Sequence, residues 1–304
     1  MFRPRCKWQL CVSLNLSLFV ATLYVWATIH SVTVPLKLPY AGREITHSNE
    51  GHLQWLLIVT ATGSRLEQKA DLTRLSQTLA HLKKLIWIVV EDAETTSAKV
   101  QGVLERSGVK YAHLAVKSRE KKKEKGVYSD HIHKGDVQKN LALTYLRKKF
   151  SEQVDNRHYG VVYFADDDNT YDLRLFENYV RNVKGIGVWP VGLVGSSLVE
   201  SPLVSQNGTV VGFDVAWSPD REFAFDMAAF AVNLQLILRN PTANFGSKFC
   251  HDRRISLAEN CFLKQFHLKR TDLEGFRGAE VLVWHTKTIS SGWRQTQLSG
   301  NYEV

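Results

Sequence analysis

The stretch VVYFADDDNT, Val161 to Thr170, places five apolar or aromatic residues directly before three consecutive aspartates. The apolar part is short, β-branched and aromatic-rich, which predicts a buried strand. Three adjacent carboxylates repel one another, and a hard divalent cation such as Mg²⁺ or Mn²⁺ would remove that repulsion. Because ligands of open α/β sheets bind outside the carboxyl ends of strands, the stretch predicts a metal site that holds substrate phosphates. The alternative is a surface acidic turn.

The chain before this stretch alternates between apolar runs and segments of helical periodicity. Strands are predicted at 53–60, 85–90 and 111–116, and helices at 67–84, 99–107 and 136–150. Alternating strands and helices are typical of an α/β fold with a parallel, doubly wound sheet. The second strand ends beside Asp92, so acidic residues follow two strands, as a nucleotide crevice at the strand ends requires.

The second half of the chain is less regular. It predicts strand segments at 185–194 and 210–217, and a strand leading into a helix over 225–238. A helix is predicted over 256–267 and carries Glu259. A last strand is predicted over 280–285 and ends on His285. Taken alone, Glu259 is also explained as a solvated helical residue, and His285 as a core histidine with a hydrogen-bond partner.

The N-terminal segment 8–36 contains no Asp, Glu, Lys or Arg, and three basic residues precede it. It is long enough to cross a bilayer, and basic flanks stay cytosolic. We therefore expect a cytosolic tail at 1–8, a transmembrane signal anchor at 9–29, a stem at 30–51 and a lumenal body at 52–304. A cleaved signal peptide is the alternative. In a lumenal body, Asn207 begins a sequon that could be glycosylated.

The formal charge of +9 is concentrated in a basic run at 117–125. Such a run can bind phosphate, but it is more often a solvated loop. Nucleic acid is not an expected partner, because the chain has no zinc-finger spacing and no recognition-helix pattern. Cys250 and Cys261 could form a disulfide in an oxidising compartment, and two buried free thiols are the alternative.

Several ordered blocks together resemble the Golgi β-1,3-glucuronosyltransferases, the galactosylgalactosylxylosylprotein 3-beta-glucuronosyltransferase-like enzymes of glycosyltransferase family 43. The resemblance runs from about 55 to 288. The blocks are LTRL at 72–75, VEDA at 90–93, QKNLAL at 138–143, GVVYFADDDNTY at 160–171, VWPV at 188–191, VVG at 210–212, DMA at 226–228, FAVNL at 230–234 and VWHT at 283–286.

The resemblance implies a GT-A type, Rossmann-like fold behind the transmembrane helix, with a UDP-sugar-binding half at 52–170 and an acceptor-binding half at 171–304. It implies a single-pass type II protein of the Golgi membrane with a lumenal catalytic domain. The implied reaction is inverting transfer of glucuronic acid from UDP-glucuronate to the 3-hydroxyl of a terminal galactose on a proteoglycan linker or glycoprotein glycan, with Mn²⁺. A homodimer is also implied.

Carried over position by position, the resemblance implies one catalytic base, one direct Mn²⁺ ligand, a nucleotide-sugar set and an acceptor or glucuronate set. Glu259 is the implied base, and Asp168 is the implied Mn²⁺ ligand. The nucleotide-sugar set is Asp92, Arg65, Asp166, Asp167, His285 and Lys287. The acceptor or glucuronate set is Glu200, Arg221 and Asp226. Asp92 is expected to bind the uracil edge and His285 the diphosphate. An inverting transfer needs a base for the acceptor proton and a cation for the leaving group.

Four departures from the family pattern bear on activity. Gly63 replaces the aromatic residue that would stack on uracil, and Lys287 replaces an arginine, which keeps the charge without the bidentate fork. The arginine-rich donor loop is replaced by the basic run and the segment at 128–134. The block AENC at 258–261 keeps Glu259 but changes its neighbours. Two further hypotheses therefore stand beside an active glucuronosyltransferase. One is a non-catalytic paralogue that binds glycan or a partner, and the other is a transferase that uses another UDP-sugar.

Overall fold

A computed structural model describes residues 53–118, 135–246, 258–276 and 280–289. The described residues form two sheets with five α-helices and several short 3₁₀ or π turns. The strands are β1 Trp55–Thr62, β2 Leu85–Glu91, β3 Tyr111–Ala115, β4 Gly160–Phe164, β5 Thr170–Tyr171, β6 Ile186–Val188, β7 Val191–Val194, β8 Ser197–Val204, β9 Val210–Asp214, β10 Phe230–Asn233, β11 Glu274–Gly275 and β12 Val283–Trp284. The helices are α1 Gln68–Leu79, α2 Ala98–Arg106, α3 Asp136–Lys149, α4 Leu234–Arg239 and α5 Ala258–Lys264.

The larger sheet has seven strands in the order β11-β6-β10-β4-β1-β2-β3. Strands β3, β2, β1 and β4 are mutually parallel. Their residues are almost wholly buried in β1, β2 and β4, as expected for strands covered on both faces. The α/β class predicted from the first half of the chain is therefore confirmed.

Strand β10, in the second half of the chain, runs antiparallel to both of its neighbours, β4 and β6, so the larger sheet is mixed. Strand β10 ends where α4 begins, so the predicted strand leading into a helix is confirmed. The Asn233 side chain caps α4 by accepting a hydrogen bond from the Gln235 amide. The first three residues of β10 are apolar, and such a run does not indicate strand direction.

The smaller sheet has five strands in the order β5-β12-β7-β8-β9. Strands β7, β8 and β9 form an antiparallel meander. The sequence analysis did not predict β8, because its buried and exposed residues do not alternate. The predicted last strand is also shorter than expected, since only Val283–Trp284 pair with neighbours.

An aromatic cluster joins the two sheets beneath the aspartate stretch. Tyr163 on β4 lies 5.7 Å from Trp189 and 5.8 Å from Phe176, measured between ring centroids. The Tyr163 hydroxyl and the Trp189 indole both donate to the carbonyl of Ala228, at 2.9 Å each. This packing holds the end of β4 against the segment that carries Asp226.

The predicted membrane anchor at 9–29 and the stem at 30–51 lie outside the described residues. In the part of the chain that the structure does describe, no helix is both long and apolar enough to cross a membrane.

Candidate active site

The carboxyl ends of three parallel strands meet at one edge of the large sheet. Strand β1 leads to Gly63, β2 to Asp92 and β4 to the aspartates at 166–168. They line a cavity of about 630 Å³, which we call the donor cavity. Its wall includes Ala61, Thr62, Gly63, Arg65, Asp92, Gly135, Asp136, Gln138, Lys139, Asp166, Asp167, Asp168, Asp226, Met227, Ala258, Glu259, His285, Lys287 and Thr288.

The three aspartates are held in different ways. Asp167 is 5% exposed and accepts hydrogen bonds from the Thr62 hydroxyl at 2.6 Å and from Arg65 at 2.9 Å. Asp166 and Asp168 are partly exposed toward the cavity. Loss of water contact raises the pKa of both carboxyls, and Asp167 raises that of Asp168 further. These two residues are therefore the ones that a bound cation would stabilise in their charged form.

Arg65 bridges two buried carboxylates. A second guanidinium nitrogen lies 2.8 Å from the other oxygen of Asp167 and 2.7 Å from Asp71 on α1. Burial works against the charged form of Arg65, but the hydrogen bonds to Asp167 and Asp71 outweigh it and raise its pKa. Arg65 was predicted to bind the nucleotide sugar. The structure places it on the cavity wall with its fork engaged by the protein.

Two threonines clamp the segment after β12. The Thr286 hydroxyl donates to the Asp168 carbonyl at 2.6 Å, and the Thr288 hydroxyl donates to Asp71 at 2.5 Å. Arg74 donates to the same Asp168 carbonyl at 2.8 Å. Lys287 lies between the two threonines and lines the donor cavity. We call these contacts the threonine clamp; they fix Lys287 relative to the aspartates.

Asp92 lies beside Gly63 at the end of the cavity away from β12. Its carboxylate accepts the Ser118 amide at 2.8 Å, and the Lys117 ammonium is 3.9 Å away. A Cβ built on Gly63 would meet only the Asp92 Cβ, at 3.8 Å, and the Gly63 φ is not positive. A Cβ at position 63 would therefore make only ordinary van der Waals contact.

A second cavity of about 690 Å³, the acceptor cavity, adjoins the first. It is lined by Leu193, Val194, Gly195, Ser196, Glu200, Trp217, Arg221, Phe225, Asp226, Glu259, His285, Lys287 and Ile289. Four residues line both cavities: Asp226, Glu259, His285 and Lys287. The sequence assigned them to three sets, with Glu259 as the base, His285 and Lys287 in the nucleotide-sugar set and Asp226 in the acceptor set. The structure brings all four together at the boundary of the two cavities.

Glu259 on α5 is 9% exposed and forms an ion pair with Arg221, at 2.7 Å. Arg221 is 3% exposed and also donates to the carbonyls of Ser218 at 3.0 Å and Trp217 at 3.2 Å. Arg221 was predicted to hold the acceptor or the glucuronate. The structure places it on the wall of the acceptor cavity, where its guanidinium holds the Glu259 carboxylate in place.

Asp226 and His285 form a second pair at the boundary. One Asp226 oxygen caps the short turn Met227–Ala229 by accepting the Ala228 amide at 2.9 Å. The other oxygen lies 3.5 Å from His285 Nδ1. This contact raises the pKa of His285, although burial opposes it. Asp226 therefore caps the turn with one oxygen and faces His285 with the other.

Glu200 is 5% exposed, and it lies opposite Val191 in the β7–β8 ladder. Burial raises its pKa, while a hydrogen bond from the Ala216 amide and the charge of Arg221 oppose that shift. A Cβ on Gly195 would lie 2.0 Å from a Glu200 oxygen, so only glycine fits at that position.

Three predicted features fall elsewhere. Asn207 is exposed at the tip of the β8–β9 hairpin, where Gly208 has a φ of +90°. Cys261 is disulfide-bonded, which excludes a free thiol there, and its expected partner Cys250 lies outside the described residues. The segment at 128–134 also lies outside them.

The sequence analysis assigned no role to Lys139, which lines the donor cavity from α3. Lys139 is 7% exposed, and its ammonium lies 5.9 Å from the ring centre of Phe245. Its charge lowers the pKa of Asp166 against the effect of burial. Lys139 lies within the quoted block at 138–143. The available signal was a lysine at helical spacing from Ala142, Leu143 and Leu146, since lysine is rarely buried.

The model of the family described as "Glycosyltransferase family 43" matches residues 75–289. The chain belongs to glycosyltransferase family 43. The match covers the aspartate stretch, both cavities' shared residues and most of both sheets.

Named relatives agree with the family. The chain is 40% identical to galactosylgalactosylxylosylprotein 3-beta-glucuronosyltransferase sqv-8 of Caenorhabditis elegans, over 77% of this chain and 64% of that protein. It is 42% identical to galactosylgalactosylxylosylprotein 3-beta-glucuronosyltransferase 1 of Rattus norvegicus, over 76% and 68%. It is 41% identical to the human galactosylgalactosylxylosylprotein 3-beta-glucuronosyltransferase 2, over 78% and 70%. The match therefore spans less than two thirds of the C. elegans relative.

A more distant likeness exists among solved structures. Staphylococcus aureus TarS 1–349 in complex with UDP-GlcNAc aligns with a TM-score of 0.47 at 13% identity, over 83% of this chain and 62% of that one. This likeness is too low for a residue-by-residue comparison of the sites.

The threonine clamp gives a testable prediction. Thr288→Val removes a hydroxyl donor to a buried carboxylate, so we expect the free energy of unfolding to fall by about 1–3 kcal/mol in urea denaturation. Thr288→Ser keeps the hydroxyl and should stay near wild type. Equal stability of Thr288→Val and wild type would show that the clamp contributes nothing.

Proposed function

We propose that this chain transfers glucuronic acid from UDP-glucuronate to the 3-hydroxyl of a terminal galactose, with inversion, Mn²⁺ dependence and Glu259 as the base. The acceptor would be a proteoglycan linker or glycoprotein glycan. The names of the relatives support the glucuronosyl and galactosyl parts of this proposal. The chemistry below supports the roles of the residues.

The observation that carries the proposal is the shared wall of the two cavities. A sugar transferred from one substrate to another must lie where both substrates meet. Glu259 lines both cavities, as do Asp226, His285 and Lys287. A base at such a boundary can reach the acceptor hydroxyl on the side opposite the leaving group, which is the geometry of an inverting displacement.

Glu259 has the surroundings of a carboxylate that works in its ionised form. Its contact with Arg221 is an ion pair, and ion pairing favours the charged carboxylate. A base must be ionised to accept the hydroxyl proton of galactose. Arg221 therefore acts as a positioning residue for Glu259 in this proposal.

The aspartates suit a divalent cation, although they supply few protein ligands for it. Among the described residues, no group of three or more His, Cys, Asp or Glu side chains is placed to hold a metal ion. Cations of this kind are often held by one or two carboxylates together with substrate phosphates. Asp168, with Asp166 beside it, fits that arrangement, since both carboxyls have raised pKa values in the absence of a cation. When bound, Mn²⁺ would supply charge stabilisation for the leaving diphosphate.

The remaining cationic groups surround the proposed donor. His285 has a raised pKa, which favours the imidazolium that binds phosphate. Lys287 and Lys139 line the same cavity and can pair with the diphosphate or the glucuronate carboxylate. Asp92 is positioned to bind the uracil edge at the far end, beside Gly63.

The proposal includes the cellular setting expected from the sequence. The chain would be a single-pass type II protein of the Golgi membrane, anchored by 9–29, with its body in the lumen. Glycosylation of Asn207, which is exposed, and a homodimer belong to the same proposal. The disulfide at Cys261 suits an oxidising compartment.

Glu259→Gln tests the role of the base. The amide keeps the size of the side chain but cannot take a proton at neutral pH. We expect the turnover number of the full chain with UDP-glucuronate, Mn²⁺ and a galactoside to fall by a factor of about 10²–10⁴. UDP binding, measured by calorimetry with Mn²⁺, should change less than about threefold, since Glu259 is not one of the carboxylates proposed to hold the cation.

The matched control is Glu222→Gln, because Glu222 follows Arg221 in the chain and lines neither cavity. It should retain wild-type turnover. Full activity of Glu259→Gln would contradict the proposed mechanism.

The alternative of another UDP-sugar donor is favoured by one observation, the engagement of Arg221 by Glu259, which leaves one fewer cation for a donor carboxylate. A panel of UDP-glucuronate, UDP-glucose, UDP-galactose and UDP-N-acetylglucosamine decides between them. We expect UDP-glucuronate to be preferred by a factor of about 10 or more in kcat/KM, from a charge-assisted contact of about 1.5–3 kcal/mol. Preference for a neutral sugar would mean that Lys139 and Lys287 do not bind a carboxylate.

The non-catalytic alternative is favoured by Gly63, because the described residues that line the donor cavity include no Phe, Tyr or Trp. Gly63→Tyr should fit, since the nearest atom to the new Cβ would be 3.8 Å away. Stacking on a base contributes about 1–3 kcal/mol, so we expect UDP affinity to rise by a factor of about 5–100. Gly63→Leu is the control for bulk alone. If wild type binds no UDP with Mn²⁺ while Gly63→Tyr does, the wild-type chain is the non-catalytic form.

A further inference from the structure

Leu193 in β7 has a backbone conformation that leucine rarely adopts. Its φ is +56°, in the left-handed region, where the Cβ of an L-residue crowds its own backbone. Bulky aliphatic residues are genuine outliers there. Strained residues of this kind persist where the surrounding structure holds them, and they cluster at functional sites.

The neighbouring turn does not explain this conformation. Strands β7 and β8 pair at Val191↔Glu200, Gly192↔Val199 and Val194↔Ser197. The two-residue turn between them is Gly195-Ser196, with φ values of +60° and +67°. Two positive φ values are what a tight hairpin turn of the mirrored type requires. Leu193 lies before Val194, inside the paired region, so its positive φ is a separate feature.

Core packing does not explain it either. Leu193 is 54% exposed, whereas Val191 and Val194 on the same strand are 1% and 7% exposed. The exposed side chain lines the acceptor cavity with Glu200, Trp217 and Ile289. Trp217 and Ile289 are exposed as well, at 56% and 79%. An energetically unfavourable backbone thus presents an apolar side chain to the acceptor space.

We propose that Leu193 is a specificity-determining residue for the acceptor, and that it packs against the apolar C–H face of a sugar ring. This inference rests on the proposed function, because it assumes a galactoside in the acceptor cavity. Sugar rings carry hydroxyls at their edges and C–H groups on their faces, and those faces lose water favourably against aliphatic and aromatic side chains. Glu200, in the same cavity, is the polar counterpart that can accept a sugar hydroxyl.

The first experiment is the kinetics of Leu193→Ala in the full chain, with the disaccharide galactosyl-β-1,3-galactose as acceptor. We expect the acceptor KM to rise about five- to twentyfold, as for loss of several methylene contacts in a hydrophobic pocket. The KM for UDP-glucuronate and the turnover number should stay within twofold, because Leu193 does not line the donor cavity.

Leu198→Ala is the matched control. Leu198 lies in β8 across from Leu193, is 83% exposed and lines neither cavity. Its acceptor KM should equal that of wild type. An unchanged acceptor KM in Leu193→Ala, or an equal rise in both variants, would overturn the inference.

The second experiment separates the side chain from the backbone. Leu193→Gly removes the steric crowding at φ +56°, so we expect the melting temperature to rise by about 2–4 °C while the acceptor KM rises as in Leu193→Ala. Leu198→Gly should lower the melting temperature, since glycine weakens a strand. A fall in the melting temperature of Leu193→Gly would show that the conformation is not strained.

A failure of the proposed function can be distinguished from a failure of this inference. If wild type transfers no sugar to any galactoside, the proposed function fails. Binding of galactosyl-β-1,3-galactose, followed by saturation-transfer NMR, then still tests Leu193. A signal in wild type and Leu198→Ala that weakens in Leu193→Ala supports the inference. Equal signals in all three, or no signal in wild type, overturn it.

Discussion

The buried charge network around Arg65 is the constraint on which the donor cavity depends. One guanidinium holds Asp167 at the end of β4 and Asp71 on α1, while Thr62 from β1 holds the same Asp167. Breaking a buried pair by removing one partner commonly costs about 3–5 kcal/mol, because a charge is left uncompensated. This network joins the ends of two parallel strands to a helix and to Thr288 after β12. Asp166 and Asp168 are left facing the cavity.

On the acceptor side, Arg221 orients a carboxylate in the same way as Arg65 does on the donor side. Its guanidinium is anchored by two backbone carbonyls and turned toward Glu259. Each half of the site therefore uses one arginine to orient one carboxylate of the cavity wall. Acidic and basic side chains meet at the boundary of the two cavities, where an Asp226 carboxylate oxygen lies 3.5 Å from His285 Nδ1. A family 43 fold places these groups on rigid strand ends and short turns, which suits a reaction that depends on relative position.

Part of this could be predicted from the chain alone. The strands β1, β2 and β4 were predictable because a strand buried on both faces is an uninterrupted apolar run, and the acidic residues after two of them indicated the crevice. Strand β8 was not, since its sequence SLVESPLV has no period of two. The antiparallel direction of β10 depends on its partners and leaves no trace in its own residues.

The candidate site was also predictable only in part. The family resemblance, which rests on residue identities and their order, indicated Asp168, Glu259 and His285. The pairing of Arg221 with Glu259 spans 38 positions and requires the folded chain to be seen. The positive φ of Leu193 is equally invisible, because leucine is common in ordinary strands. Interactions between distant segments, and conformations that contradict local preference, are what sequence patterns do not encode.

The most direct test of the central claim is the structure of the product. The full chain would be incubated with UDP-glucuronate, Mn²⁺ and a β-galactoside, and the product analysed by NMR. The proposed mechanism predicts a β-linked glucuronic acid on the 3-hydroxyl of galactose, since one direct displacement by a hydroxyl that Glu259 deprotonates inverts the α-linked donor. An α-linked product, attachment at another hydroxyl or no transfer would contradict it.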